Sequence, residues 1–312
     1  MKGKFLIAAA AALSLALTGC SGAKVTSGGG GKTVNLAVNP WVGYEADAAV
    51  VSYLLTNKLG YKVNKKNLKE EISWQGFATG EVDAILENWG HDDLKKKYID
   101  QQHVAAAIGP DGNEGIIGWY VPHWMVQKYP DILDSKNLNK YASLFKTSES
   151  GGKGQLLDGD PSYVTNDAAL ITGLKLNYKV VQGGSEAALI KSLKEASDQQ
   201  KPLLFYFYEP QWFFAQGVKL DRIQLPPYTT GCDSNPKSMA CDYPPYHLDK
   251  IVSTKFQKTG GKAYQLISNF KWTNDNQNQV AEYIANENMT DDQAAKKWVD
   301  ANPSIWQAWM PK

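Results

Sequence analysis

Apolar and polar positions along the chain fall into short blocks of two different periods. Val34 to Val38 is an apolar run that predicts a strand. Between Ala46 and Leu59, the residues Ala49, Val50, Tyr53 and Leu54 recur at helical spacing, and Gly60 is placed to end that helix. Val82 to Leu86 predicts a second, buried strand. From Asn166 to Asn177 one helical face carries Ala169, Leu170, Gly173 and Leu174, and Val180 and Val181 suggest a strand after it. Ser185 to Ala196 predicts a helix with Ser185 as its N-cap. Leu203 to Phe207 is strongly β-prone. Thr290 and Gln293 form a capping box ahead of Ala294 to Ala301. Short strands alternating with helices predict an α/β protein with mostly parallel sheets. A faint echo between Tyr120-Val-Pro-His-Trp124 and Tyr208-Glu-Pro-Gln-Trp212 is explained by chance and is not read as a repeat.

The first residues follow neither period. Lys2 and Lys4 precede an apolar run of 13 residues, Phe5 to Leu17, too short to span a bilayer as an ordinary helix. Leu17-Thr18-Gly19-Cys20 comes next and resembles the bacterial lipobox, in which cleavage before the cysteine leaves Cys20 to carry lipid. Residues 1–19 are then a lipoprotein signal peptide, and the Gly/Ser-rich stretch 20–32 is a flexible tether. No later run reaches the length of a transmembrane helix. The expected location is extracytoplasmic, with the protein anchored to the cell membrane.

The 312 residues suggest about two domains, and 43% hydrophobic content supports a sizeable core. The net charge is +1, and loss of residues 1–19 with their two lysines brings it to −1. Arg222 is the single arginine. A nucleic-acid groove needs a basic surplus and arginine forks, so no nucleic-acid partner is expected. Cys232 and Cys241 lie nine positions apart in a Pro/Gly/Ser/Asn-rich loop. In an exported chain that pattern favours a disulfide, whereas zinc needs four ligands and finds only two soft ones here.

Catalytic patterns are weak. Gly183-Gly-Ser185-Glu-Ala187 lacks the last glycine of a nucleophile elbow, and Ser185 is better read as a helix cap. His91-Asp92-Asp93 reads as a helix start rather than a metal site. Gly151-Gly152-Lys153-Gly154 has no following GK[ST], so it is no phosphate loop. The expectation is therefore a protein that is not an enzyme, with no cofactor and no metal.

The aromatic residues, with ten Trp and sixteen Tyr, are the distinctive feature. Three segments share a form in which a strand end delivers a ring into a turn: LENWG with Trp89, GDPSYVT with Tyr163, and FYEPQW with Tyr208. Strand C-termini in open α/β sheets are where ligands bind, and ring faces attract a cation that has no N–H to donate. The alternative is that these rings only pack the core.

These segments make the chain resemble the substrate-binding proteins of ABC importers for glycine betaine and related quaternary amines, the ProX and OpuAC type. The resemblance runs through Asn39 to Trp41, Asn88-Trp89, GDPSY at 159–163, KPLLFYFYEPQW at 201–212 and LISNFKWTNDNQNQVAEYI at 266–284. It implies a two-lobe, type II periplasmic-binding-protein-like fold with a hinge and two crossovers. Lobe one would hold residues 33–117 plus 248–312 and lobe two residues 118–247. It implies a cation cage of Trp89, Tyr163 and Tyr208, with Tyr at two positions where relatives commonly carry Trp. Backbone N–H groups of Val164 and Thr165 would meet a ligand carboxylate, and His91 would add a polar contact. Trp41, Tyr44, Trp119 and Tyr120 are further candidate linings, while Trp124 and Trp212 would pack inside lobe two. The implied function is a monomeric, lipid-anchored receptor that hands an osmolyte to an ABC permease. The alternatives are a choline or carnitine receptor and, in another class, an exported hydrolase of choline esters.

Overall fold

The computed structural model describes residues 33–163 and 165–312. The signal peptide, the tether, Cys20 and Val164 lie outside the described residues.

The strands are β1 (Thr33–Val38), β2 (Lys62–Asn67), β3 (Ala84–Asn88), β4 (Ala105–Pro122), β5 (Gly154–Asp158), β6 (Tyr178–Gln182), β7 (Phe205–Glu209), β8 (Leu220–Arg222) and β9 (Tyr246–Ser253). They join in the order β2-β1-β3-β9-β4-β7-β5-β6, with β8 on β4. The long strand β4 connects two halves of this path. Its residues up to Gly115 pair with β9, and from Ile116 onward it pairs with β7 and β8.

The α/β reading holds, with helices between the strands, but the expected parallel character is only half of the picture. β1 runs parallel to β2 and β3, and β5 runs parallel to β6 and β7. Strands β4 and β9 are antiparallel to every strand they touch. Both are connecting strands rather than members of a βαβ unit, so the parallel rule does not bind them. Alternation along the chain does not reveal β4, because Gly109, Pro110, Gly112, Gly115 and Gly118 interrupt it. The register shifts between Ala107 and Pro110 and again between Pro110 and Glu114.

The first helix spans Val42–Asn57 and begins earlier than its periodicity suggests. Val42, Gly43 and Tyr44 are buried along with most of the helix, so no polar stripe marks its start. The expected helix from Asn166 is shorter, Asp167–Gly173, because Met239 N–H bonds the Ala169 carbonyl and the loop carrying it packs on the helix end. Ser185 accepts from Ala188 N–H and caps Glu186–Asp198, as its position in the sequence suggests. Thr290 and Gln293 form the expected capping box on Asp291–Ala301. Cys232 and Cys241 are bonded across the loop before β9, with Cα atoms 6.3 Å apart. Among the described residues no helix is long and apolar enough to cross a membrane.

Candidate ligand-binding cavity

The C-terminal ends of the parallel strands β1, β3 and β5 point toward one place. Trp41 follows β1 at the start of the Val42–Asn57 helix, Trp89 follows β3, and Tyr163 sits in the turn after β5. Strand β7 crosses beneath them. Its period of two sends Tyr206 and Tyr208 to this side and Phe205 and Phe207 into the packing behind, against Tyr120 and Phe214. The resulting cavity opens to solvent and is lined by Trp41, Glu70, Trp89, His91, Ile117, Tyr163, Tyr206, Tyr208 and Tyr246.

Three pairs of these rings meet at steep angles, and Tyr206 and Tyr246 are tilted at 46–59° to their neighbours. Trp41 and Tyr163 lie 5.8 Å apart at 82°, Trp89 and Tyr208 5.8 Å apart at 81°, and Tyr163 and Tyr208 6.3 Å apart at 88°. In each of these contacts the edge of one ring meets the face of the other, which fixes their relative orientation. Two glycines make room for them. A Cβ at Gly115 would stand 2.6 Å from Trp89 Cζ3, and one at Gly159 would stand 2.5 Å from Tyr163 Cε2.

Hydrogen bonds hold four of these rings, Trp41, Trp89, Tyr163 and Tyr208, at their rims. Glu87, buried at the end of β3, accepts from Trp41 Nε1 at 2.8 Å and from Trp89 Nε1 at 2.6 Å on the same oxygen. Tyr208 donates to Glu186 Oε1 at 2.8 Å, and Glu186 also accepts from Gln211 Nε2 at 2.5 Å and from Val42 N–H at 2.9 Å. Tyr163 donates to the Pro40 carbonyl at 3.1 Å. Asn88 Nδ2 donates to the Gly90 carbonyl and to Asp249, which fixes the turn beyond Trp89. Burial, with Glu186 nearby, keeps the phenols of Tyr163 and Tyr208 well above their ordinary pKa, so both rings stay neutral.

His91 and Glu70 form the polar edge of the cavity, 3.0 Å apart. Burial opposes the imidazolium, but the hydrogen bond and charge of Glu70, with Asp93, outweigh it and raise the His91 pKa. Three buried carboxyls stand behind the Trp side. Asp47, Glu87 and Asp111 each bring one oxygen within 4.8 Å of the others, the one such grouping of potential cation ligands among the described residues. Burial raises all three above the usual carboxyl range.

Of the sequence-derived residues, the structure therefore gathers Trp89, Tyr163, Tyr208, His91 and Trp41 around one void. Tyr44 does not line it: its hydroxyl accepts from Leu86 N–H and its ring packs edge-on under Trp41. Tyr120 does not line it either, being on the far side of the sheet with Phe205 and Phe207. Trp119 is buried and donates to Asp167. Thr165 also lies outside the lining, with its hydroxyl on Asp158 at 2.9 Å. Sequence reasoning missed Glu70, Ile117, Tyr206 and Tyr246. Tyr206 was legible, since two positions before Tyr208 on a strand is the same face. The others arrive from distant segments.

The chain matches the family model OpuAC, described as the substrate binding domain of ABC-type glycine betaine transport system, over residues 32–301. It is 24% identical over 286 residues to the trimethylamine N-oxide-binding protein of Pelagibacter ubique, covering 88% of this chain and 90% of that one. Its fold is similar to lactococcal OpuAC in a closed complex with glycine betaine, with TM-score 0.70, 20% identity and coverage of 90% and 100%. It is also similar to an ABC-transporter choline binding protein in complex with choline, with TM-score 0.71, 17% identity and coverage of 89% and 91%.

Proposed function

The chain belongs to the family of substrate-binding domains of ABC-type glycine betaine transport systems, and on that premise we propose that it is a lipid-anchored extracytoplasmic receptor that captures a small quaternary amine and delivers it to an ABC permease. The observation that carries the choice of ligand is the cavity walled by Trp41, Trp89, Tyr163, Tyr206, Tyr208 and Tyr246. A trimethylammonium group has no hydrogen to donate, so oxygen acceptors gain little from it. Several ring faces share its diffuse charge, each worth roughly 1–2 kcal/mol in a desolvated site. An unmethylated ammonium would lose its water hydrogen bonds in the same box.

Glycine betaine is the first ligand proposed, with the His91 imidazolium as the partner for its carboxylate. Choline is the second, favoured by Glu70, which offers an acceptor to a hydroxyl. Trimethylamine N-oxide, named for the Pelagibacter relative, fits the same walls. The two halves of the sheet act as lobes, residues 33–117 plus 248–312 and residues 118–247, closing by a hinge. Two bonds support a closed arrangement by linking residues from each proposed lobe: Tyr163 to the Pro40 carbonyl and Glu186 to Val42 N–H.

Calorimetry with glycine betaine, choline, trimethylamine N-oxide, dimethylglycine and glycine tests the reading. Fully methylated ligands are expected to bind more tightly than dimethylglycine and far more tightly than glycine, and small-angle scattering is expected to show compaction at saturation. Glycine binding as well as betaine would refute the cage.

A further inference from the structure

Glu87 takes no part in the cavity lining, yet it is the group that both Trp walls share. One of its oxygens accepts the indole N–H of Trp41 and of Trp89, and the other accepts Gln277 Nε2 at 2.7 Å. The two rings come from different strand ends, so no local sequence constraint sets their relative orientation. We propose that Glu87 is a positioning and affinity-determining residue: an ionised carboxylate that orients the Trp41 and Trp89 faces and acts through both indoles as the remote countercharge of the bound cation. This inference rests on the quaternary amine reading.

The charge assignment follows from the donors. Asp47, Glu87 and Asp111 crowd together out of water, so they cannot all be ionised. Glu87 receives N–H donors on both oxygens, which favours its charged form. Against the three N–H donors on Glu87, the fully buried Asp47 is faced by the indole N–H of Trp272. Asp47 is therefore the member that carries a proton, given to Glu87 in the hydrogen bond between the two carboxyls. Asp111 accepts Asn113 N–H and feels the Lys250 ammonium, which bonds the Ser268 and Phe270 carbonyls. Glu186 is a further carboxyl that interacts with Glu87 across the cavity.

A carboxylate at an indole N–H polarises the ring and makes its face more negative. In a low-dielectric setting that influence reaches the cation without a direct ion pair, so the site avoids placing a desolvated carboxylate against the ligand. The same arrangement discriminates by charge. A neutral molecule of the same shape fills the box but gains nothing from Glu87.

Glu87→Gln keeps an oxygen for the two indoles and removes the charge. Rotation of the Gln277 amide, with Asn113 following through the bond they share, lets the network accept the new amide. The probes are choline with 3,3-dimethylbutan-1-ol, and glycine betaine with 3,3-dimethylbutanoate, each pair differing by N⁺ against carbon. The variant is expected to bind the two cations roughly tenfold more weakly, about the share of one ring–cation contact. Affinity for the neutral-headed partners stays within about twofold on the same scale. Wild-type protein that binds neither cation overturns the functional reading and this inference with it. Wild-type protein that binds a cation, while E87Q weakens cation and carbon isostere alike or neither, overturns this inference alone. If E87Q does not fold, the wild-type protein still decides: the indole N–H resonances of Trp41 and Trp89 are expected downfield of those bonded to neutral carbonyls, as with Trp309 on Lys271. Equal shifts overturn the proposal.

Discussion

Tyr208 combines two roles that a single atom separates. Substitution by Phe leaves the ring facing the cavity, edge-on to Trp89 at 5.8 Å and to Tyr163 at 6.3 Å. It removes the hydroxyl that donates to Glu186 at 2.8 Å. Glu186 is only 8% exposed, so water does not replace the lost donor, but Gln211 and Val42 N–H remain bonded to it. A hydrogen bond to a charged group contributes about 1.5–3 kcal/mol, and two surviving partners put this one near the lower end. In a chain of this size that corresponds to a fall in melting temperature of about 2–3 °C. Affinity is expected to change by less than about threefold, because the ring face is intact. Tyr208→Ala removes the face as well and is expected to weaken binding about tenfold or more, with a stability loss of roughly 3–5 kcal/mol. Scanning calorimetry and titration with betaine and choline measure both quantities. If Tyr208→Phe weakens binding as much as Tyr208→Ala, the ligand contacts the hydroxyl and not the ring. If its melting temperature matches wild type, the Glu186 bond does not stabilise the fold.

Cys20→Ser is expected to move the protein from the membrane fraction to the soluble fraction with ligand affinity unchanged; unchanged fractionation would reject the anchor. Cys241→Ser opens the loop closed by Cys232 and Cys241 and is expected to cost about 2–3 kcal/mol, and two reactive thiols in the folded wild-type protein would show that the bond is absent. Asp167 is held at a pKa of about 8, against 3.8 for an ordinary aspartate, by burial and by Asp158. The folded state therefore binds its proton more strongly than the unfolded chain, and this contribution to stability is full below about pH 4 and lost as pH rises through about 8. Asp167→Asn is accordingly expected to flatten the decline of melting temperature between pH 5 and 8, and a slope equal to wild type would count against that assignment.

The sequence by itself determined what short-range pattern can carry. The Ser185 cap, the Thr290 capping box, the β1 strand and the alternation of strands with helices are local events, set by residues within a turn or two of one another. The rings of Trp89, Tyr163 and Tyr208 were legible for the same reason, since each sits where a strand end runs into a turn. Tyr206 needed only the strand period to be followed two residues back. Tertiary structure decided the rest. Tyr44 and Trp41 are three residues apart on one segment, yet one ring supports the other and only Trp41 reaches the void. Tyr120 was turned away by its register on β7, where it lies opposite Phe205. Glu70, Ile117 and Tyr246 join the cavity through pairings between segments far apart in the chain, and β4 runs through glycines and a proline that break its own pattern. Glu87 is the clearest case: a carboxylate in a strand reads as an interruption of an apolar run. Only the convergence of β1 and β3 places two indole N–H groups on one of its oxygens, because side-chain geometry across strands is set by long-range register and not by neighbours in sequence.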